Sequence, residues 1–329
     1  MSIKRRIGFG LLGLLGLLVV AGVVLWVWKP WVPAVVVTDP GPDGRRIDTP
    51  GLFANYYRGR GAGRRPAVLI FGGSEGGIGA NVTRDARALA AEGYAVLNIS
   101  YFRAPGQSKA IVLIPLEGFT RALDWLRQQL EVDPSRLAVM GASKGGEAAL
   151  LVATRHPELK AVVAGMPSSV AWAGYSWETF GSKESSWSEN GRPVPFLPYG
   201  KADFGKGFSL LKIYQAGLAT LPQHPDAIIP IERSGATVLL ICGKADTLWP
   251  SCPMAYQIHD RAVKNGHPVV TVLAYPDAGH AVQGLPEADG NKDFDGLGSL
   301  GGSATGNNAA RRDGWPKTLA FLKAAFGSA

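Results

Sequence analysis

The sequence is poor in cysteine, in histidine and in charge. Its 329 residues include 2 cysteines and 5 histidines, and 18% of them are charged against 46% that are hydrophobic. Two cysteines cannot form a disulfide scaffold or a four-thiolate zinc site, and no group of His, Asp and Glu has metal-ligand spacing. Such an apolar chain is not intrinsically disordered, and its length fits one large α/β unit or two domains.

Acidic residues are missing from the start of the chain. The first thirty residues contain no Asp or Glu, and they hold half of the formal net charge of +8, in the cations Lys4, Arg5, Arg6 and Lys29. The rest of the chain is therefore close to ordinary in charge. This distribution argues against a nucleic-acid partner.

A long uncharged run lies between those cations. It covers residues 7–28, is rich in Leu, Val and Gly, and would measure roughly 33 Å as a helix, enough to cross the hydrocarbon core of a bilayer. A cleavable signal peptide is the alternative, but its apolar core is shorter and ends in small residues. The tryptophans at the end of the run favour an uncleaved transmembrane anchor within residues 1–30.

The charges that flank the span predict its orientation. Three cations precede it, and the next ones after Lys29 are Arg45 and Arg46. We therefore expect the N-terminus in the cytoplasm and the body outside, in the periplasm if the protein is bacterial. An oxidising compartment permits a disulfide between Cys242 and Cys252. The alternative is equally open: a buried Cys242 in a strand and an unrelated Cys252 in a loop.

Regular alternation of strand and helix patterns begins near residue 65, after a linker with leading strands at 31–64. Short β-branched runs predict strands, and amphipathic stretches between them predict helices. The near-continuous apolar character of the strands predicts an α/β domain at 65–329 with a doubly wound, mostly parallel sheet. The predicted strands are 67–71, 95–102, 136–140, 160–164, 237–242 and 269–274. The predicted helices are 81–92, 115–130, 144–156, 253–265 and 314–326.

Residues 167–235 interrupt this alternation. They are rich in aromatic residues among Gly, Pro and Ser, and a structureless excursion of this length within a compact domain is functional or disordered. The aromatic density argues against disorder, so we predict a cap over the site. An insertion that packs only against the body is the alternative. The aromatic residues expected to contact substrate are Trp172, Trp177, Trp187, Phe196 and Trp249.

The motif that most directly indicates a catalytic mechanism is Gly-Ala-Ser-Lys-Gly at 141–145. A strand that turns sharply into a helix at such a serine exposes the hydroxyl above the sheet. A second match, Gly-Gly-Ser-Glu-Gly at 72–76, runs into further glycines before any helix. Ser143 is therefore the predicted nucleophile.

The second match predicts part of an oxyanion hole. Glycine-rich backbone after an early strand supplies one amide donor, and the residue after the nucleophile supplies the other. We assign these donors to the backbone N–H groups of Ser74 and Lys144, with Gly73 as the alternative to Ser74. A tight turn that merely needs positive φ is the competing interpretation.

His280 is the predicted base, because it alone among the histidines follows directly after a late predicted strand. The orienting acid is expected between nucleophile and histidine, and Asp246 follows the strand at 237–242. Asp277 is the competing acid, but its position three residues before His280 is more typical of a turn. A Ser-His-Asp set predicts acyl transfer through an acyl-enzyme, which requires neither a metal nor a cofactor.

Several short segments of the chain carry a family resemblance. They are 71–77, 141–147, His156-Pro157, 167–170, 249–251, 301–302, 308–310 and 313–315. Together they resemble the C-terminal catalytic domain of acyl-CoA thioesterases and bile acid-CoA:amino acid N-acyltransferases. The resemblance covers roughly residues 64–326. It implies an α/β-hydrolase fold, with Ser143, Asp246 and His280 at the family's triad positions.

Two departures qualify what the resemblance implies. The acyltransferase members place cysteine at the nucleophile, and a serine favours hydrolysis, since a thioester intermediate passes its acyl group to amines more readily than an oxyester does. The family's N-terminal β-sandwich has no counterpart in the short linker at 31–64. CoA thioesters are also cytosolic, whereas the charge pattern faces the body outward, so either the substrate differs or the orientation is reversed.

We therefore expect a membrane-anchored serine hydrolase that cleaves acyl thioesters or esters. The aromatic residues of the cap suggest a largely apolar acyl group. An acyltransferase that uses an amine or alcohol acceptor is the first alternative. A catalytically inactive, anchored binding module is the second. The sequence does not indicate an oligomeric state.

Overall fold

A computed structural model describes residues 3–203, 205, 207–267, 269–288 and 290–327, with side chains from residue 13 onward. The strands are β1 (Gly44–Thr49), β2 (Leu52–Tyr57), β3 (Arg65–Phe71), β4 (Ala95–Ser100), β5 (Ile114–Pro115), β6 (Val132–Ala142), β7 (Ala161–Gly165), β8 (Ala173–Ser176), β9 (Phe180–Ser185), β10 (Trp187–Glu189), β11 (Arg192–Pro193), β12 (Thr237–Gly243) and β13 (Val270–Tyr275). The α-helices are α1 (Ile3–Trp28), α2 (Ala80–Ala91), α3 (Glu117–Arg127), α4 (Lys144–Ala153), α5 (Leu210–Leu218), α6 (Ser251–Lys264) and α7 (Ala304–Phe326).

A central eight-stranded sheet has the strand order β1-β2-β4-β3-β6-β7-β12-β13. β2 is antiparallel to both β1 and β4, and the pairings from β4 through to β13 are parallel. The predicted mostly parallel, doubly wound sheet is therefore confirmed. The strand order reverses between β3 and β6, so the crevice beyond their carboxyl ends is where such a sheet binds ligands.

Alternate side chains of the central strands enter two separate cores. In β3, Val68 and Ile70 pack into one buried cluster, and Leu69 and Phe71 pack into the other. All four are at most 2% exposed. Burial on both faces explains why these strands have continuous apolar sequences rather than alternating ones. The two cores hold the carboxyl ends of β3 and β6 in place.

The six predicted strands correspond to β3, β4, β6, β7, β12 and β13, and the predicted helices correspond to α2, α3, α4, α6 and α7. The start of α7 was predicted incorrectly, because the helix begins at Ala304 rather than at 314. The Ser303 hydroxyl caps it by accepting the Gly306 N–H at 2.8 Å. Gly306 and Pro316 within α7 are poor helix formers, which explains why the sequence pattern understates its length.

The predicted membrane span at 7–28 lies within α1, and its first part, 7–12, falls outside the residues whose side chains are described. Over the described side chains, no helix combines the length and the apolar character needed to cross a membrane.

The cap segment, residues 167–235, contains regular elements, so its expected lack of secondary structure is wrong. It includes β8 to β11 and α5, and β10 pairs in parallel with β5, outside the cap segment. Asn190 and Gly191 join β10 to β11 with φ of 51° and 70°. Positive φ at both positions is the two-residue hairpin geometry that Asn-Gly favours, so this dipeptide is a usable sequence signal.

A disulfide joins Cys242, in β12, to Cys252, in α6. Both residues are buried, at 0% and 3% exposed. Of the two alternatives left open by the sequence, a disulfide or two unrelated cysteines, the structure contains the disulfide. The closed loop between the cysteines carries Asp246, so the disulfide restrains the backbone next to that residue.

Candidate active site

Ser143 occupies a sharp turn between β6 and α4. Its φ of 58° and ψ of −124° lie outside the regions that residues with a side chain readily adopt. Neighbouring glycines permit close packing here: a Cβ on Gly141 would lie 2.2 Å from the Gly145 carbonyl oxygen, and one on Gly145 would lie 2.2 Å from that of Gly72. The Ser143 N–H donates to the Gly165 carbonyl at 2.9 Å. This turn holds the serine hydroxyl at the carboxyl edge of the sheet.

His280 connects Ser143 to Asp246. Its Nε2 lies 2.9 Å from Ser143 Oγ, and its Nδ1 lies 2.8 Å from Asp246 Oδ2. His280 is 7% exposed and Asp246 is 6% exposed. The competing acid, Asp277, is exposed, and its carbonyl accepts the Ser303 N–H instead. The structure therefore brings the three predicted residues together and places Asp277 elsewhere.

The Asp246 carboxylate is held in one orientation by donors from its own loop. Oδ1 accepts the N–H groups of Leu248 and Trp249 at 2.9 and 3.2 Å. Oδ2, which faces His280, also accepts the Ser251 hydroxyl at 2.7 Å. Ser251 belongs to the segment 249–251 that carries the family resemblance, but no role was assigned to it from the sequence.

The two backbone amides predicted for an oxyanion hole have no hydrogen-bond acceptor among the residues that the structure describes. Among the described residues the Ser74 N–H has no acceptor, and Lys144 is the first residue of α4, where no intrahelical acceptor exists. The Gly73 N–H donates to the Glu75 carboxylate at 3.0 Å. The loop is close to the nucleophile, since a Cβ on Gly73 would lie 3.1 Å from Ser143 Cβ. Ser74 and Lys144 thus remain as the available donors.

Hydrogen bonds from two other segments, the linker and the cap segment, hold the loop at 72–79. The Val36 carbonyl, in the linker, accepts the Ile78 N–H at 2.8 Å. The Trp177 indole, in the cap segment, donates to the Ser74 carbonyl at 2.7 Å. Because Trp177 bonds the Ser74 carbonyl, it fixes the peptide plane next to the proposed amide donor. Trp177 therefore supports the loop.

The structure places the predicted substrate-contacting aromatics in different surroundings, and none of them lines the cavity that opens beside Ser143. Trp172 and Trp187 are 0% exposed: the Trp172 backbone N–H and the Trp187 indole both donate to Glu147. Phe196 lines a separate cavity of about 770 Å³ within the cap segment. Trp249 is buried, and its ring packs edge-on against the His280 ring with centroids 5.7 Å apart.

A cavity of about 350 Å³ opens beside Ser143. Its walls come from the ends of the central strands, the loop at 72–75, α2 and the loop after His280, and no described residue of 167–235 lines it. The polar side chains on these walls were missed from the sequence, because their spacing along the chain gives no sign that they meet: Glu75, Asn81, Asp85, Gln283 and Arg311. Burial raises the pKa of Asp85 to about 6.

A family model described as "BAAT / Acyl-CoA thioester hydrolase C terminal" matches residues 114–328. The chain belongs to this family. The match covers β6, α4, β12 and β13, and so includes Ser143, Asp246 and His280. The resemblance inferred from the sequence motifs is therefore confirmed.

Curated relatives of this BAAT / acyl-CoA thioester hydrolase C-terminal member include enzymes of two kinds. The mitochondrial acyl-coenzyme A thioesterase 2 of Mus musculus is 27% identical over 80% of this chain and 56% of its own length. Acyl-coenzyme A amino acid N-acyltransferase 2 of Rattus norvegicus is 26% identical over 74% of this chain and 55% of its own length. The chain thus spans little more than half the length of these relatives.

Solved structures share the fold of this family member. A thermostable carboxylesterase cloned from a metagenomic library superposes with a TM-score of 0.55, at 17% identity, over 89% of this chain and 92% of that one. A dienelactone hydrolase-like promiscuous phosphotriesterase from metagenomic libraries gives a TM-score of 0.52, at 18% identity, over 86% of this chain and 98% of that one. The chain therefore has the α/β-hydrolase fold.

Proposed function

We propose that this protein is a serine hydrolase that cleaves acyl thioesters or esters. The observation that carries the proposal is the hydrogen-bonded chain from Ser143 Oγ through His280 to the Asp246 carboxylate, with distances of 2.9 and 2.8 Å. Ser74 lines the same cavity as Ser143, and Lys144 follows Ser143 in the chain, so their unpaired amides are candidates for an oxyanion hole.

The mechanism follows from these positions. His280 Nδ1–H faces Asp246, so Nε2 is free to take the Ser143 proton while Oγ bonds to the acyl carbonyl carbon. The Ser74 and Lys144 amides donate to the oxyanion that forms. The intermediate then collapses, the bond to the leaving group breaks, and His280 returns the proton to that group. Water, activated in the same way, releases the acid and restores Ser143.

Acyl-CoA is the first substrate class to test, because relatives of this chain are named acyl-coenzyme A thioesterases. Acyl transfer to an amine is the second candidate, because another relative is named an amino acid N-acyltransferase. A serine at 143 favours hydrolysis, since its oxyester intermediate is a poorer acyl donor to amines than a thioester. Product analysis with amine acceptors distinguishes the two, because a transferase forms the conjugate in preference to the free acid.

We further propose that α1 anchors the protein in a membrane, with the catalytic body outside the cytoplasm. Support comes from the uncharged run at 7–28 and its flanking cations, and from the exposed apolar side chains between Leu14 and Trp28. The disulfide between Cys242 and Cys252 fits an oxidising compartment. Resistance to alkaline extraction from membranes, together with digestion of the body by protease added from outside, is the expected result. Release by alkali would contradict the anchor.

The test of the activity compares acyl-CoA thioesters with p-nitrophenyl esters on the wild-type chain and on His280→Ala. Wild-type hydrolysis of at least one class is expected, with kcat about 10³-fold or more lower in His280→Ala because the nucleophile loses its base. Hydrolysis that persists in His280→Ala would contradict the proposed mechanism. No hydrolysis by the wild-type chain would favour an anchored binding module.

A further inference from the structure

Residues 300–302 contact both the loop that carries His280 and the loop that carries Asp246. The Leu300 carbonyl accepts the His280 N–H at 3.1 Å, and it also accepts the Thr247 N–H, next to Asp246, at 3.3 Å. Both loops are therefore hydrogen-bonded to one carbonyl of the same short segment. The position of this segment thus affects how His280 and Asp246 lie relative to each other.

The segment packs closely against both loops. Gly301 pairs with Asp246 as an isolated antiparallel bridge, and a Cβ on Gly301 would lie 2.0 Å from the Ala245 carbonyl oxygen. A Cβ on Gly279, the residue before His280, would lie 2.1 Å from the Gly301 carbonyl oxygen. Because the contacts on both sides are this close, a shift of the segment would move at least one of the two loops.

Asn307, near the start of α7, joins the segment to the His280 loop. Its Oδ1 accepts the Gly279 N–H at 2.9 Å, and its Nδ2 donates to the Gly301 and Ser303 carbonyls at 3.0 and 2.9 Å. These partners fix the orientation of the amide, since an N–H needs an acceptor and a carbonyl needs a donor. Asn307 is 0% exposed, so its removal would leave buried backbone groups without partners.

α7 also contacts the residue on the other side of His280. Arg311, one turn after Asn307, donates from Nε to the Ala281 carbonyl at 2.7 Å. The two side chains thus hold the backbone immediately before and after His280. Asn307 in addition bonds the Gly301 carbonyl, and so reaches the segment that contacts the Asp246 loop.

We propose that Asn307 is a positioning residue for the triad. By joining the His280 loop to the segment at 300–302, it sets the place of His280 between Ser143 and Asp246. Asn307 does not line the cavity beside Ser143, so it acts through the backbone rather than on substrate. A displacement of about 1 Å can lower a catalysed rate about 10²-fold. This inference rests on the hydrolase function proposed above.

The test compares Asn307→Ala with Asn308→Ala in the purified full chain. Asn308 is the matched control: it is the next residue, it is 2% exposed, and its amide bonds the N–H and the carbonyl of Glu287, farther along the chain from His280. Both variants should lower the urea midpoint, because each leaves buried backbone groups unpaired. The activity is measured without urea on acyl-CoA or p-nitrophenyl esters, whichever class the wild type hydrolyses. Rates are expressed per active site, counted by fluorophosphonate labelling carried to completion.

For Asn307→Ala we expect kcat about 10- to 100-fold below wild type, with KM within about twofold. Asn308→Ala should keep kcat within about threefold of wild type, because its bonds do not hold the residues next to His280. Asn307→Asp keeps an acceptor for the Gly279 N–H but loses the amide donor, so it should give an intermediate kcat. If Asn307→Ala does not fold, Asn307→Asp is compared with Asn308→Asp, and kcat should again be lower in the variant at 307.

A wild-type kcat in the folded variants at 307 would overturn the assignment of Asn307 while leaving the hydrolase function intact. Equal losses of kcat at 307 and 308, or a raised KM at unchanged kcat, would overturn it as well, since neither result reflects a displaced His280. A wild-type chain that neither hydrolyses these substrates nor reacts with the fluorophosphonate would count against the proposed function itself.

Discussion

Lys144 and Glu147 form an ion pair in the interior of the protein, with Nζ 2.7 Å from Oε2 and side chains that are 5% and 0% exposed. The other carboxylate oxygen accepts the Trp187 indole at 2.6 Å and the Trp172 N–H at 3.0 Å. Burial lowers the pKa of the Lys144 ammonium, and the Glu147 carboxylate opposes that shift. One carboxylate thus joins the nucleophile helix to the cap segment.

Removing one member of this pair should destabilise the protein more than removing both. Glu147→Gln leaves the Lys144 ammonium buried without a counter-charge, so we expect a loss of about 3 kcal/mol or more in the free energy of unfolding. Lys144→Met combined with Glu147→Gln should recover much of that loss, because neither charge remains. Urea unfolding measures both changes. If the double variant is no more stable than Glu147→Gln alone, the unpaired Lys144 charge is not the main cause of the loss in the free energy of unfolding.

Mutation can show which of the two candidate acids, Asp246 or Asp277, orients His280. Asp246→Asn should lower kcat by about 10³- to 10⁴-fold, because an amide no longer favours the His280 tautomer that leaves Nε2 free. Asp277→Asn is the matched control and should leave kcat within about twofold, since Asp277 is exposed and its backbone carbonyl makes its contact to Ser303. Equal losses in the two variants would argue against Asp246 as the orienting acid.

The disulfide between Cys242 and Cys252 should stabilise both the fold and the acid loop. Replacing both cysteines by alanine is expected to lower the free energy of unfolding by about 2 to 3 kcal/mol, since the bond closes a short loop. We also expect a lower kcat, because that loop carries Asp246. Reductant should reproduce both effects in the wild-type chain and have none on the double variant. If reductant leaves wild-type stability unchanged, the disulfide is not formed in solution.

Asp85 should impose a specific pH dependence on stability. Its pKa of about 6 in the folded protein exceeds the ordinary 3.8 because burial disfavours the carboxylate. The folded state therefore holds this proton more tightly than the unfolded state, so Asp85 lowers stability as pH rises from about 4 to about 6. In Asp85→Asn that contribution is absent.

Urea midpoints of wild type and Asp85→Asn at several pH values measure this effect. The stability of the variant relative to wild type should increase through the window from about pH 4 to 6, on the order of 1 to 3 kcal/mol in total, and then level off. The variant retains an oxygen to accept the Leu285 N–H, which bonds Asp85 Oδ1 at 3.0 Å. A constant difference between the two proteins across this window would contradict the raised pKa.

The central sheet was predictable because its signal is local, whereas the proposed triad was assembled from one local turn motif and from chain order. The apolar strands reflect burial on both faces, and Gly141 and Gly145 reflect a turn that leaves no room for a side chain at either position. Asp246 and His280 were proposed because chain order and strand ends restrict where a triad residue can lie, and the structure places both within hydrogen-bond distance of the predicted partners.

The cap segment and the cavity walls were not predictable in the same way. The aromatic residues of the cap pointed to substrate binding, but Trp172 and Trp187 instead donate to Glu147, a contact between distant segments that no spacing encodes. Likewise, Asp85, Gln283 and Arg311 meet at one cavity only through the folding of α2, α7 and the loop after His280. The sequence composition therefore gave no sign of the polar side chains that lie among the apolar residues of the cavity walls.

The most direct test of the central claim is covalent labelling of the full chain with a fluorophosphonate probe, followed by peptide mass spectrometry, in wild type and Ser143→Ala. We predict a single modified serine, Ser143, in the wild-type protein, and neither labelling nor hydrolysis of acyl-CoA or p-nitrophenyl esters by Ser143→Ala. Labelling at a different serine, or Ser143→Ala that still hydrolyses these substrates at the wild-type rate, would contradict the assignment of Ser143 as the nucleophile.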